Sequence, residues 1–170
     1  FLSSAKAFEE LLKDAPKNLV VSAAWQAGEA RRQLALVAKG DAQNREFRAA
    51  LTNYELVTKV PVKEKGNQSE LQDQSLLRIG QTRASLEDWN AAQEAFEQFV
   101  KNHPKHKLIR TAHLGFGWAV HNQEKYPEAI ASYEKVVKDG VRDDTGARAQ
   151  FLLGECYLEQ KHLVKARTEF

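Results

Sequence analysis

The sequence predicts an all-α fold assembled from a repeated helical hairpin. Three observations point there. Gly80, Gly117 and Gly154 recur at a constant spacing of 37 residues. Apolar residues step by three and four along every long segment, which is one face of a helix, and strand-like alternation is missing. The chain has 170 residues, 42% of them hydrophobic and 28% charged, so it is globular in composition and long enough to bury a sizeable core.

The repeat is carried by more than its glycines. Ala92, Ala129 and Ala166 keep the same step, as do Phe96, Tyr133 and Phe170. The residue before each glycine is Ile79, Phe116 or Leu153, and a further column holds Trp89, Tyr126 and Leu163. Three matched glycines among only nine are in phase with four other columns, which chance does not explain. Toward the N-terminus the period loosens. Phe8 and Pro16 are spaced like Phe96 and Pro104, and Ala50 precedes Tyr54 by four, as Ala92 precedes Phe96. Gly28 and Ala50 are 22 apart where the regular copies show 12, which places an insertion around Lys39-Gly40-Asp41. A second insertion is the polar stretch Lys63 to Ser69, read as a loop. The chain is therefore expected to be one repeat array over 1–170, with divergent repeats in 1–66 and regular 37-residue repeats in 67–170.

Element by element, the pattern predicts about nine helices: 1–14, 18–38, 43–60, 69–86, 88–102, 106–122, 125–138, 143–159 and 162 onward. In 88–102, Trp89, Ala92, Phe96, Phe99 and Val100 form one face behind the N-cap Asp88. Pro104 ends that helix, because it lacks an N–H and restrains His103. In 125–138, Tyr126, Ala129, Ile130, Tyr133, Val136 and Val137 repeat the face, Pro127 is tolerated in the first turn, and Asp139-Gly140 ends the helix. The broad apolar band of 146–160 suits a helix flanked on two sides. A glycine inside a helix costs about 1 kcal/mol relative to alanine. Three such glycines in phase are expected to let the paired helix approach closely, with the alanine column facing the same contact. The aromatics at 96, 133 and 170 then fill the space between one hairpin and the next.

A hairpin with Leu-Gly-x2-Tyr in its first helix and Ala-x3-Phe in its second resembles the tetratricopeptide repeat. Leu153-Gly154-x2-Tyr157 with Ala166-x3-Phe170 is the best copy. Phe116-Gly117 with Ala129-x3-Tyr133, and Ile79-Gly80 with Ala92-x3-Phe96 and Pro104, are the others. The family's tryptophan slot holds Leu76, His113 and Gln150, and the period is 37 rather than about 34. The resemblance implies a right-handed superhelical stack of antiparallel helix hairpins. The long helices and the His-Pro and Asp-Gly turns are similar to those of bacterial cell-envelope repeat proteins, which gives a lean toward that compartment.

Catalytic and cofactor chemistry find little support. His103, His106, His113 and His121 lie close in sequence, but two flank a turn and the other two are two helical turns apart, so they read as surface and packing histidines. The single Cys156 excludes an internal disulfide and reads as a buried, inert thiol. Gly115-x-Gly117 lies in mid-helix, with no preceding strand to make it a phosphate loop. Glu9-Glu10 reads as a helix-surface pair and Asp143-Asp144 as a cap. No enzyme and no cofactor or metal is expected. The net charge of +2, from 25 basic and 23 acidic residues, lacks the basic excess of a nucleic-acid binder. No apolar run approaches the ~20 residues of a membrane span.

What the resemblance implies instead is a scaffold for protein–protein interaction, whose groove, lined by the first helix of each hairpin, captures a peptide or a neighbouring subunit. In this register the groove residues are Gln74, Leu77 and Gln81 in the first clear copy, Thr111, Leu114, Trp118 and His121 in the second, and Arg148, Phe151 and Glu155 in the third. Trp118 and Phe151 have a second reading, as packing between hairpins. The alternative function is a structural spacer that joins other domains without using the groove. The chain starts and stops inside predicted helices and is expected to be a piece of a longer protein. The last copy is then left with Leu163, Ala166 and Phe170 uncovered, which favours self-association through that end.

Overall fold

The computed structural model of the chain describes residues 1–61, 66–138, 140 and 143–169. Among these there are nine helices and no strand: α1 (Leu2–Asp14), α2 (Lys17–Val37), α3 (Gly40–Lys59), α4 (Asn67–Ser85), α5 (Trp89–Asn102), α6 (Ile109–His121), α7 (Tyr126–Val137), α8 (Asp144–Glu159) and α9 (Leu163–Glu169). They form two compact units, Phe1–Asp88 and Trp89–Phe170. Phe170 itself, Asp139 of the predicted Asp-Gly stop, and Lys63 to Lys65 of the predicted loop lie outside the described residues.

In the first unit, α1 packs on α2, α2 on α3, and α4 on both α2 and α3. The long hairpin α2/α3 contains the insertion expected at Lys39-Gly40-Asp41. That insertion lengthens both arms, as the expected helices 18–38 and 43–60 imply: α2 and α3 have 21 and 20 residues, against 13 and 12 in α6 and α7. The added residues, such as Arg32, Gln33, Leu34, Ala42 and Gln43, are good helix formers, so they lengthen both arms. Only the two residues 38 and 39 join the helices, and Gly40 enters α3 at φ +58° with open space around it. Val21, Ala24 and Val57 form a buried cluster covered by Leu12, Trp25, Leu56, Val60 and Leu71.

Above it lies an ion-pair network. Arg31 donates from Nε and Nη2 to both carboxylate oxygens of Glu9 at 2.8 and 2.6 Å, and from Nη1 to Glu46 at 2.8 Å. Asn53 adds a donor to Glu9 at 3.3 Å. Glu9 was expected on a bare surface; instead Arg31 ties it to α2 and α3. The α4 start also differs from expectation. Asn67 to Ser69 are helical, and Ser69 turns back to accept from the Gly66 N–H at 2.9 Å, so the loop is shorter by that turn. The amide of Gln72 donates to the Val57 and Val60 carbonyls and so satisfies the end of α3.

In the second unit each helix packs on the next, and α6 also packs on α8. The core holds Val120, Ala129, Tyr133, Val136, Ala149, Leu153, Cys156, Tyr157 and Ala166. The close approach at Gly117 is present. A Cβ added there would fall 2.5 Å from Cε1 of Tyr133 on α7, so the phenol ring lies flat on the glycine. In the first unit the same contact recurs between Gly28 and Tyr54, with the added Cβ 2.7 Å from Cε1. Phe96 packs in the same way on Gly115, one hairpin further on. Gly115 is thus a second packing glycine of α6. Ala166 is buried against α8, while Leu163 and Val164 of α9 are 66% and 74% exposed.

The turns that follow α4, α6 and α8 obey the 37-residue step as well. Glu87, Glu124 and Lys161 all have φ near +60°. The N–H of the following residue reaches back five positions in every case: Asp88 to Arg83, Lys125 to Val120 and His162 to Tyr157. This is a left-handed C-cap built without glycine. At the other end of the period, Asp143 caps α8, accepting from the Gly146 N–H at 2.7 Å and from Arg110 at 2.6 Å. Arg110 beside it holds its carboxyl below the usual range.

Candidate functional site: the face between α6 and α8

The expected groove residues fall on both units. On α4, Leu77 is only 4% exposed and belongs to the core, not to an open face. Arg78, the next residue, takes its place. Gln74 donates to Glu70 one turn away, and Gln81 accepts from Arg78 at 2.9 Å. Arg78 is the centre of this face. Its Nε donates to Glu29 of α2 at 2.8 Å, and its guanidinium lies 6.0 Å from the ring centre of Trp25. Glu29 also accepts from the Tyr54 hydroxyl at 2.6 Å. Burial pushes the Tyr54 phenol pKa up, and the Glu29 charge pushes it further. The face between α2 and α4 is thus filled by its own charges.

The face between α6 and α8 is different. Thr111 and Leu114 are half-buried, and Leu114 rests on the core beneath. Trp118 is half-buried with its indole edge-on to Trp89 of α5, ring centres 5.3 Å apart. That contact supports the packing reading of Trp118 for one side of its ring. On α8, Arg148 is exposed, Phe151 is 53% exposed and Glu155 is half-buried. Their spacings of three and four put them on one side of the helix. Phe151 is therefore not buried between hairpins.

His121 closes one end. Its Nδ1 lies 3.5 Å from the Cys156 sulfur, and its ring meets Tyr126 and Tyr133 at 5.6 and 6.4 Å. Cys156 is fully buried, and burial pushes its thiol up to about 12, which suppresses the reactive thiolate. The expected inert thiol is what the geometry gives. His103 and His106 pack edge and tilt against Phe99, and His106 Nδ1 accepts from the Leu108 N–H at 3.1 Å. That nitrogen is engaged by the backbone.

Sequence reading missed one group at this face. The Tyr133 hydroxyl is buried and, among the described residues, has no hydrogen-bond partner. Burial raises its pKa; the charges of Cys156 and Glu155 add to this, and that of Arg148 opposes it. The signal that locates it is the repeat itself. Glu29 follows Gly28, and the residue that follows Gly117 is Trp118, whose indole N–H can donate but not accept.

No helix of the described residues is long and apolar enough to cross a membrane. The model of the tetratricopeptide repeat family matches residues 77–146 and 114–170. No curated protein matches the chain. Among solved structures, a crystal structure of MamA superposes with a TM-score of 0.74 at 17% identity, covering 98% of this chain and 82% of that one. MamA from residue 41 to its end, from Desulfovibrio magneticus RS-1, superposes with a TM-score of 0.57 at 15% identity, covering 98% and 91%. At such identities the likeness is one of fold. The family is in general one of non-catalytic scaffolds for protein–protein interaction. The recurrent glycines, the turns that keep the 37-residue step, and a family match over more than half of its length make this chain a member of the tetratricopeptide repeat family.

Proposed function

We propose that this scaffold captures a peptide segment of a protein partner on the face between α6 and α8. The observation that carries the reading is the contrast between the two units. The α2/α4 face closes on itself through Arg78, Glu29 and Tyr54. The α6/α8 face presents Phe151 at 53% exposure beside an exposed Arg148 and the half-buried Trp118. Aromatic and arginine side chains are the usual anchors of such contacts. Thr111, Leu114, His121 and Glu155 complete the surface. Gln74 and Gln81, engaged on α4, are outside it.

Selection of binders from a displayed peptide library tests the reading. Selected peptides are expected to lose at least tenfold in affinity for Phe151→Ser, whose melting temperature should equal the parent's because the ring is exposed. Peptides that bind this variant as well as the parent lie on another face. A library that yields no binder favours the spacer role.

A further inference from the structure

Tyr54 and Tyr133 are equivalent residues, each lying on the glycine of its partner helix with the same ring edge. Their hydroxyls have opposite fates. Tyr54 donates to a carboxylate that is also held by an arginine of the next first helix. Tyr133, fully buried, donates to nothing among the described residues. A buried hydroxyl without an acceptor is unfavourable, and native proteins seldom retain one. The position that supplies the acceptor in the first unit, Glu29, is Trp118 in the second. The arginine has a counterpart: Arg148 stands on α8 one turn earlier than Arg78 stands on α4, and among the described residues it has no ion-pair partner. Glu155, two turns along the same helix, and Glu159, one turn beyond it, oppose a bound anion.

The geometry points to an aspartate or glutamate side chain of the bound segment as the missing group, its carboxylate accepting from the Tyr133 hydroxyl and facing Arg148. The first unit then contains, in Glu29, an internal copy of the ligand that the second takes from outside. The inference rests on the α6/α8 reading and adds its specificity. Because the hydroxyl is sealed in the free protein, a side chain of the face must swing aside as the carboxylate enters, and the exposed Arg148 is free to follow it.

The test uses two matched pools of dodecapeptides with capped ends. They carry a single central Glu or Gln among Leu, Ile, Val, Ser and Thr, and binding is read by fluorescence anisotropy. The Glu pool is expected to bind at least tenfold tighter than the Gln pool, since hydrogen bonds to charged acceptors are the stronger ones. Tyr133→Phe and Arg148→Gln should each abolish the difference without lowering the melting temperature, and Glu155→Gln should enlarge it. Trp118→Glu should restore the internal acceptor and exclude the Glu pool. Equal binding of the pools, lost in Phe151→Ser, overturns the acidic requirement and leaves the face as the binding surface. Binding indifferent to Phe151→Ser, or no binding by either pool, overturns both. If a Gln peptide with a free C-terminus binds while capped Glu peptides do not, the face takes a chain terminus and the side-chain assignment fails.

Discussion

Two tyrosines in the same place, one satisfied and one not, give the sharpest residue-scale expectation. Tyr54→Phe removes a donor from a charged acceptor and leaves Glu29 with one bond fewer, so it should cost about 1–3 kcal/mol. Tyr133→Phe removes a buried hydroxyl that bonds to nothing and should raise stability, by up to about 1–3 kcal/mol. Chemical denaturation of the two variants checks the contrast. Gly117→Ala is a second case where context reverses propensity. Alanine is the better helix former by about 1 kcal/mol. Here its Cβ would strike a fully buried ring, and a net loss of about 1–3 kcal/mol is expected. Phe96→Ala should cost about 3–5 kcal/mol by the same denaturation measurement. The close approach at Gly117 was legible in the sequence, but its partner was not: Tyr133, expected between one hairpin and the next, lies on the glycine of its own hairpin. The orphaned hydroxyl was not legible either, since it depends on what three separate helices bring near one atom. Leu77 shows the limit of the register: Leu114 and Phe151 of its column are half-buried and exposed, while it is core.

At the scale of elements, helix boundaries followed from periodicity and caps, and the structure places them within a few residues of the expected positions. The insertion around Lys39-Gly40-Asp41 lengthens the two arms much as expected, 18–38 and 43–60 becoming Lys17–Val37 and Gly40–Lys59. The hairpin turns were silent in sequence, because Glu87, Glu124 and Lys161 occupy a conformation that usually announces itself by glycine. A left-handed non-glycine residue costs roughly 1–2 kcal/mol. Glu124→Gly should therefore stabilise the α6/α7 hairpin by up to about 1 kcal/mol, seen as a raised melting temperature. The network joining α1 to α2 and α3 makes a pH prediction. Arg31 holds the Glu9 carboxyl below its ordinary 4.5. The stability this lends is full above that ordinary value and is lost as pH falls through the lowered one. Protection of the α1 amides, relative to their intrinsic exchange rates, should therefore fall below about pH 4.5, and Glu9→Gln should flatten that dependence.

For the whole molecule, the contacts form two compact units, Phe1–Asp88 and Trp89–Phe170. Each unit has its own buried cluster, Val21, Ala24 and Val57 in one and the set around Tyr133 in the other. In repeat folds stability is a sum of units and their nearest-neighbour contacts. Residues 1–88 and 89–170, expressed separately, should each show a helical circular dichroism spectrum and a cooperative melt. A piece that stays unfolded would show that its cluster is too small to stand alone.

The only cysteine of the chain is sealed beneath the α6/α8 face, 3.5 Å from His121. That makes it a clock for the opening of this face. An alkylating reagent reaches the sulfur only in molecules where α6 and α8 have parted, so the ratio of native to denatured labelling rates is an opening equilibrium constant. A segment seated across Trp118 and Phe151 slows the clock by the factor by which it stabilises the closed state. Labelling kinetics at one atom thus weigh the ligand without any tag on it.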